Sequence, residues 1–143
     1  MANIYTAFSF MLPEFAEEQS EKARSWIESI ADEMETDAWL DTYGTVDVVL
    51  RDSDRSVWVN SGDESGDVEA AIFVIQDYLT EFDFSDYKGV YFSWATWCDK
   101  PRINHFYGGG AVVMKDDVVF SGSSDCCREA AEAGVEVLNE GQW

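Results

Sequence analysis

The chain has 143 residues, of which 46% are hydrophobic and 15% aromatic, and its 29 acidic and 9 basic residues give a formal net charge of −20. This length fits one domain, 1–143, and the apolar content is enough for a core, which excludes an intrinsically disordered chain. The charge excludes bare nucleic acid and anionic membrane surfaces as direct partners, because both would repel the protein.

No apolar stretch approaches the roughly 20 residues that cross a bilayer, and residues 1–11 show no signal-peptide pattern. We therefore expect a cytoplasmic protein with no membrane partner. Its three cysteines, two of them adjacent at Cys126 and Cys127, fit neither a disulfide framework nor a zinc site. We expect reduced thiols, no metal and no cofactor.

The first elements in chain order are a strand and a helix. Residues 4–10 alternate with a period of two, which predicts a strand. Pro13 then begins a predicted helix at a position where its missing N–H is not needed. Apolar residues recur along this helix at three- and four-residue steps and predict one buried face: Ala16, Ala23, Trp26, Ile27, Ile30 and Met34.

The β-branched runs 45–50 and 56–60 predict a hairpin. Asp67 is placed to cap a second helix, whose apolar stripe runs from Val68 to Phe82. An aromatic strand at 89–97 and a hairpin formed by 110–114 and 118–120 follow. A third helix is predicted from Ser124 to about Leu138.

The predicted order is therefore β-α-β-β-α-β-β-β-α. We expect an α+β fold in which an antiparallel sheet carries its helices on one face. Its first six elements match a split β-α-β, ferredoxin-like core, to which a hairpin is added.

The first predicted helix carries an acidic stripe opposite its apolar face. Its members are Glu14, Glu17, Glu18, Glu21, Glu28, Asp32 and Glu35. Four of them, Glu14, Glu21, Glu28 and Glu35, recur every two turns, about 10 Å. They make a row of carboxylates some 30 Å long. A second acidic group lies on and before the second helix: Asp63, Glu64, Asp67, Glu69, Asp77 and Glu81. If both helices pack on one face of the sheet, their outer sides form one acidic surface.

Such a surface resembles the phosphates that a DNA-binding cleft grips with Lys and Arg. It predicts a nucleic-acid mimic that binds a basic nucleic-acid-binding protein or complex and blocks it, with electrostatic steering of association. The alternative is a non-enzymatic interaction or regulatory module whose acidity serves solubility or growth in high salt. On that alternative, reversing the acidic stripe would leave partner binding unchanged.

Residues 93–110 are the most unusual segment. Cys98 and His105, the single His, suggest a nucleophile pair, but no orienting acid or oxyanion loop accompanies them. Gly108 to Gly110 lack the Lys-Ser/Thr pair and the following helix of a phosphate-binding loop. We expect these glycines to let two strands approach closely, and we predict a binding protein rather than an enzyme. An enzyme would instead show an unusually reactive Cys98 thiol.

The segment 57–120 contains Trp94, Cys98, Lys-Pro-Arg at 100–102, Phe106 and Gly108 to Gly110. With these residues it resembles a family of small uncharacterised proteins encoded by phages, plasmids and proteobacterial genomes. Tyr107 departs from the family pattern. The resemblance implies no established activity and no catalytic residues. It implies a mobile-element setting, where acidic proteins that inhibit CRISPR or restriction systems by imitating DNA are a known class.

Overall fold

The computed structural model describes residues 4–51, 53, 55–62, 65–98, 106–121 and 125–139. It has the predicted α+β class. Its strands and helices in these residues are, in chain order, β1 (Ile4–Ala7), β2 (Ser9–Met11), α1 (Ser20–Met34), α2 (Asp37–Thr42), β3 (Asp47–Arg51), β4 (Ser56–Asn60), α3 (Val68–Glu81), β5 (Lys88–Cys98), β6 (Phe106–Val113), β7 (Val118–Ser121), α4 (Asp125–Glu132) and β8 (Glu136–Val137).

The first predicted strand is divided at Phe8. Its first part, β1, pairs with β5, and its second part, β2, pairs with β4. The strands therefore form two sheets, β1-β5-β6-β7 with β8 beside β5, and β2-β4-β3. The prediction that all strands form a single sheet is therefore wrong. Phe8 and Phe10 are both buried, so the alternation of the sequence continues while the partner strand changes.

The strand order keeps the predicted split β-α-β. Strands β2 and β3 both run antiparallel to β4, which lies between them. They are therefore parallel to each other and are joined through α1 and α2. The predicted hairpins are confirmed as β3–β4 and β6–β7, both antiparallel.

The helices lie on both sides of the larger sheet. Val90, Phe92 and Val113 face the main core, which also contains the buried residues of α1 and α3. Their neighbours Tyr91 and Val112 face the opposite way and pack with Ala130 of α4. The prediction that all helices share one face is therefore wrong for α4, because successive side chains of a strand point to opposite faces.

Two predicted helix boundaries also differ from the structure. Helix α1 begins at Ser20, after a 3-10 turn at Glu17–Gln19, and not at Pro13. The preceding segment instead lies along β4, where Leu12 N–H donates to the carbonyl of Val57 at 2.9 Å. Helix α4 ends at Glu132, because Gly134 turns the chain at a φ of 87° and β8 then pairs with β5.

Within the described part of the chain, no helix combines the length and the apolar character needed to cross a bilayer.

Candidate functional site

Helix α1 is fixed on the protein by an aromatic contact with α3. Its buried residues are Ala23, Trp26 and Ile30. The Trp26 ring meets the ring of Tyr78 edge-on, with centroids 5.3 Å apart, and the Trp26 Nε1–H donates to Asp77 Oδ2 at 2.7 Å. These contacts settle which face of α1 points inward. The opposite face, with the acidic stripe, is therefore presented to solvent by a helix in a fixed position.

Tyr78 also holds the segment that precedes α1. Its hydroxyl donates to the carbonyl of Pro13 at 2.5 Å. Burial raises the pKa of the Tyr78 hydroxyl above its ordinary value, so the group remains a neutral donor. One buried tyrosine of α3 thus contacts both α1, through Trp26, and the segment before it, through Pro13.

All seven stripe residues predicted on the first helix are exposed. Three further exposed carboxylates, on the last turn of α1 and on α2, extend the same stretch of chain. We call the whole set the acidic helical surface: Glu14, Glu17, Glu18, Glu21, Glu28, Asp32, Glu33, Glu35, Asp37 and Asp41. Sequence reasoning missed the last two because α2 has only 6 residues and no periodic pattern.

The predicted row of carboxylates is shorter than its spacing suggested. Glu21 and Glu28 lie two turns apart on α1, and Glu35 caps its C-terminus in a helical conformation. This part of the row is about 21 Å long at 1.5 Å per residue. Glu14 lies before the 3-10 turn, off the helix axis, so it borders the row instead of continuing it.

Two basic residues occur between the first and last members of the acidic helical surface, Lys22 and Arg24. Arg24 Nη1 lies 3.3 Å from Glu21 Oε1, an exposed pair of the kind that adds little stability. Lys22 Nζ lies over the Phe82 ring, 5.2 Å from its centroid. The surface therefore keeps a local formal charge of −8, from ten acidic and two basic side chains.

Helix α2 adds an apolar side chain to this surface. Trp39 is buried and packs against Phe73, with ring centroids 5.3 Å apart, which orients the helix. Its neighbour Leu40 is 64% exposed and lies in sequence between Asp37 and Asp41. An exposed leucine among carboxylates gives the surface an apolar contact as well as charge.

The acidic residues of α3 are placed differently. Asp67 is the N-cap, accepting from Ala70 N–H at 3.1 Å and from Gly44 N–H at 2.5 Å. Asp77 accepts from Trp26 inside the α1–α3 contact. Glu69 and Glu81 are exposed but lie near opposite ends of the helix. We therefore leave α3 out of the acidic helical surface. Asp63 and Glu64 lie outside the described residues.

The three predicted strand-approach glycines lie inside β6, opposite Ser93 to Ala95 of β5. A Cβ on Gly109 would come within 2.6 Å of the Trp94 ring, so this glycine makes room for an indole. The triple glycine is thus part of a sheet. His105, the Lys-Pro-Arg residues and the Cys98 side chain lie outside the described part of the structure.

Among the described residues, no group of three or more His, Cys, Asp or Glu side chains is arranged to hold a metal ion. No protein-family model matches the sequence. Searches of curated proteins and of solved structures likewise returned no match.

Proposed function

We propose that this protein is a nucleic-acid mimic that binds a basic nucleic-acid-binding protein or complex through the acidic helical surface and competes with nucleic acid for it. The observation that carries the proposal is the exposure of ten carboxylates between Glu14 and Asp41 beside two basic residues. By analogy with acidic proteins of mobile elements, the target is a host defence complex such as a CRISPR effector or a restriction enzyme.

The spacing of the carboxylates supports this proposal. Residues 21–35, on α1 and at its C-cap, carry five of them. At about 1.5 Å per residue this segment is about 21 Å long, which gives one carboxylate per about 4 Å. One strand of DNA presents a phosphate about every 3.4 Å. The carboxylates of α1 are therefore spaced along the helix axis almost as closely as the phosphates of a single DNA strand, which a cleft lined with Lys and Arg can bind.

The rigidity of α1 supports it further. A flexible acidic tail loses conformational entropy when it binds, whereas α1 is held by the buried Trp26 and Ile30 before any partner arrives. The charges are thus ordered in advance, and the net charge of −20 steers a basic partner towards the protein. Leu40, with 64% of its surface exposed, supplies apolar contact that phosphate cannot.

Reversal of three central carboxylates tests the proposal. The variant Glu21→Lys/Glu28→Lys/Asp32→Lys and the unaltered protein serve as baits in a lysate that contains CRISPR effectors and restriction enzymes, at low and high salt and with or without competing DNA. We expect the unaltered protein to retain a basic nucleic-acid-binding protein that salt or DNA releases. The variant should bind that protein roughly 100-fold more weakly, at about 1 kcal/mol for each contacting charge.

A matched control reverses three exposed carboxylates near α4, Asp86→Lys/Asp116→Lys/Glu129→Lys. Both variants change the net charge by the same amount, and circular dichroism checks that both fold. If the two triple variants lose binding equally, the effect belongs to total charge and not to the acidic helical surface. If the unaltered protein retains no salt-sensitive partner, its acidity serves solubility and the proposal fails.

A further inference from the structure

A hollow of about 230 Å³ lies between β2 and β5, on the side of the fold where the two sheets separate. The β1–β5 pairing ends at Ala7 and Ala95, and the β2–β4 pairing begins at Ser9 and Asn60. The chain therefore turns away from β5 between these pairs. The division at Phe8 leaves a space beside β5 that both sheets line, and it is separate from the acidic helical surface.

Aromatic rings form much of the lining. Phe10 and Phe92 are both buried, and their ring centroids lie 4.8 Å apart at the base of the hollow. Trp58 of β4 contributes an indole that is 38% exposed. The volume lies just below the 300–1,000 Å³ that is usual for drug-sized ligands, so it suits a molecule of one or two rings. Planar rings of this kind stack favourably on aromatic walls.

The described residues that line the hollow include one basic residue and no acidic one. Trp58 Nε1–H donates to Ser9 Oγ at 2.7 Å, so the hydroxyl proton of Ser9 points elsewhere, and it has no acceptor among the described residues. Ser93 adds a second exposed hydroxyl, and Arg51 adds a guanidinium. These groups favour a ligand that carries acceptor oxygens, because guanidinium and hydroxyl groups donate well to a carboxylate.

One wall of the hollow is fixed by a buried amide. Asn139 is 2% exposed, and its side chain accepts from Tyr91 N–H at 2.7 Å and donates to the Tyr91 carbonyl at 2.6 Å. The amide thus takes the place of a neighbouring strand beside this part of β5. The wall is therefore ordered before any ligand arrives, which lowers the entropic cost of binding.

We infer that this hollow is a binding site for a small aromatic carboxylate, with the ring against Trp58, Phe10 and Phe92 and the carboxylate towards Arg51 and Ser9. This site is independent of the proposed mimicry.

Titration with benzoate tests the inference. The indole N–H signal of Trp58 in a ¹H–¹⁵N spectrum, assigned by its loss in Trp58→Phe, reports occupancy. We expect a saturable shift of that signal with benzoate. Cyclohexanecarboxylate, which lacks the aromatic face, and benzylamine, which inverts the charge, should each bind at least fivefold more weakly if stacking and charge both contribute.

Two arginine variants give the matched comparison. Arg51→Gln should weaken benzoate binding about tenfold, the value of a charge-assisted hydrogen bond. Arg55→Gln removes the same charge from a residue that lines a neighbouring hollow and not this one, and should leave the affinity unchanged. Absence of a saturable Trp58 shift with benzoate, or equal losses in the two variants, would overturn the inference.

Discussion

Helices α1 and α3 have nearly equal lengths, 15 and 14 residues, yet they use their acidic residues in opposite ways. Helix α1 buries three residues and presents its carboxylates to solvent. Helix α3 buries six residues, and both Asp67 and Asp77 accept hydrogen bonds inside the protein. A carboxylate that already has an internal donor does not need a partner protein. The number of acidic residues in a segment therefore does not show how many of them are available to a partner, whereas their internal hydrogen bonds do.

The largest difference between the two helices should appear at Asp77. We expect Asp77→Ala to lower the free energy of unfolding by about 1.5–3 kcal/mol, because the Nε1–H of the buried Trp26 then loses a charged acceptor. Glu28→Ala on the exposed face of α1 should change it by less than about 0.5 kcal/mol. Urea unfolding measures both variants.

A double-mutant cycle with Trp26→Phe isolates this bond, because phenylalanine keeps an aromatic ring and removes the donor. A coupling energy above about 1 kcal/mol is expected for an intact Trp26–Asp77 hydrogen bond. Additive single effects would contradict the role that we give to Asp77 and return it to the set of available carboxylates.

A smaller effect is expected at Asp67. Its carboxylate caps α3 through Ala70 N–H and also accepts from Gly44 N–H, so Asp67→Ala should cost about 1–2 kcal/mol. Asp67→Asn keeps an acceptor oxygen and should lose less than half of that amount. Thermal or urea unfolding of the two variants separates the effect of the capping hydrogen bond from that of the charge. Equal losses of stability would show that charge alone matters at this position.

The sequence predicts the class of fold and the outward direction of the α1 carboxylates because both depend on local periodicity. The seven-residue spacing of Glu21 and Glu28 and the apolar steps to Trp26 and Ile30 are sufficient for this purpose. The cap at Asp67 follows from its position before an apolar stripe, and the structure confirms it.

Long-range packing is not encoded in such patterns. Asp77 lies opposite the apolar stripe of α3, so periodicity places it in solvent, whereas α1 covers it through Trp26. The alternation through Phe8 is the same whether the strand stays with β5 or moves to β4. Helix α4 packs on Tyr91 and Val112, on the opposite face of the larger sheet. The face that these two residues occupy is defined only when the strands have paired into a sheet. The hollow beside β5 arises from this same change of partner.

The smallest expected effect is also the one that separates stability from function. Asp32 lies in the last part of α1, four residues after Glu28 and three before Glu35, and no basic residue occupies the last turn. Asp32→Lys replaces two like-charge contacts with favourable ones and places a cation near the helix C-terminus. We expect the free energy of unfolding, measured with urea, to rise by about 0.5–1 kcal/mol.

The matched variant Glu69→Lys puts a cation in the first turn of α3 and should instead lower the free energy of unfolding by a few tenths of a kcal/mol. If α1 evolved as a binding surface, Asp32→Lys should be more stable and bind its partner more weakly. A variant that gains stability and loses no binding would show that the stretch from Glu28 to Glu35 does not contact the partner, and would move the contact towards Glu14 or α2.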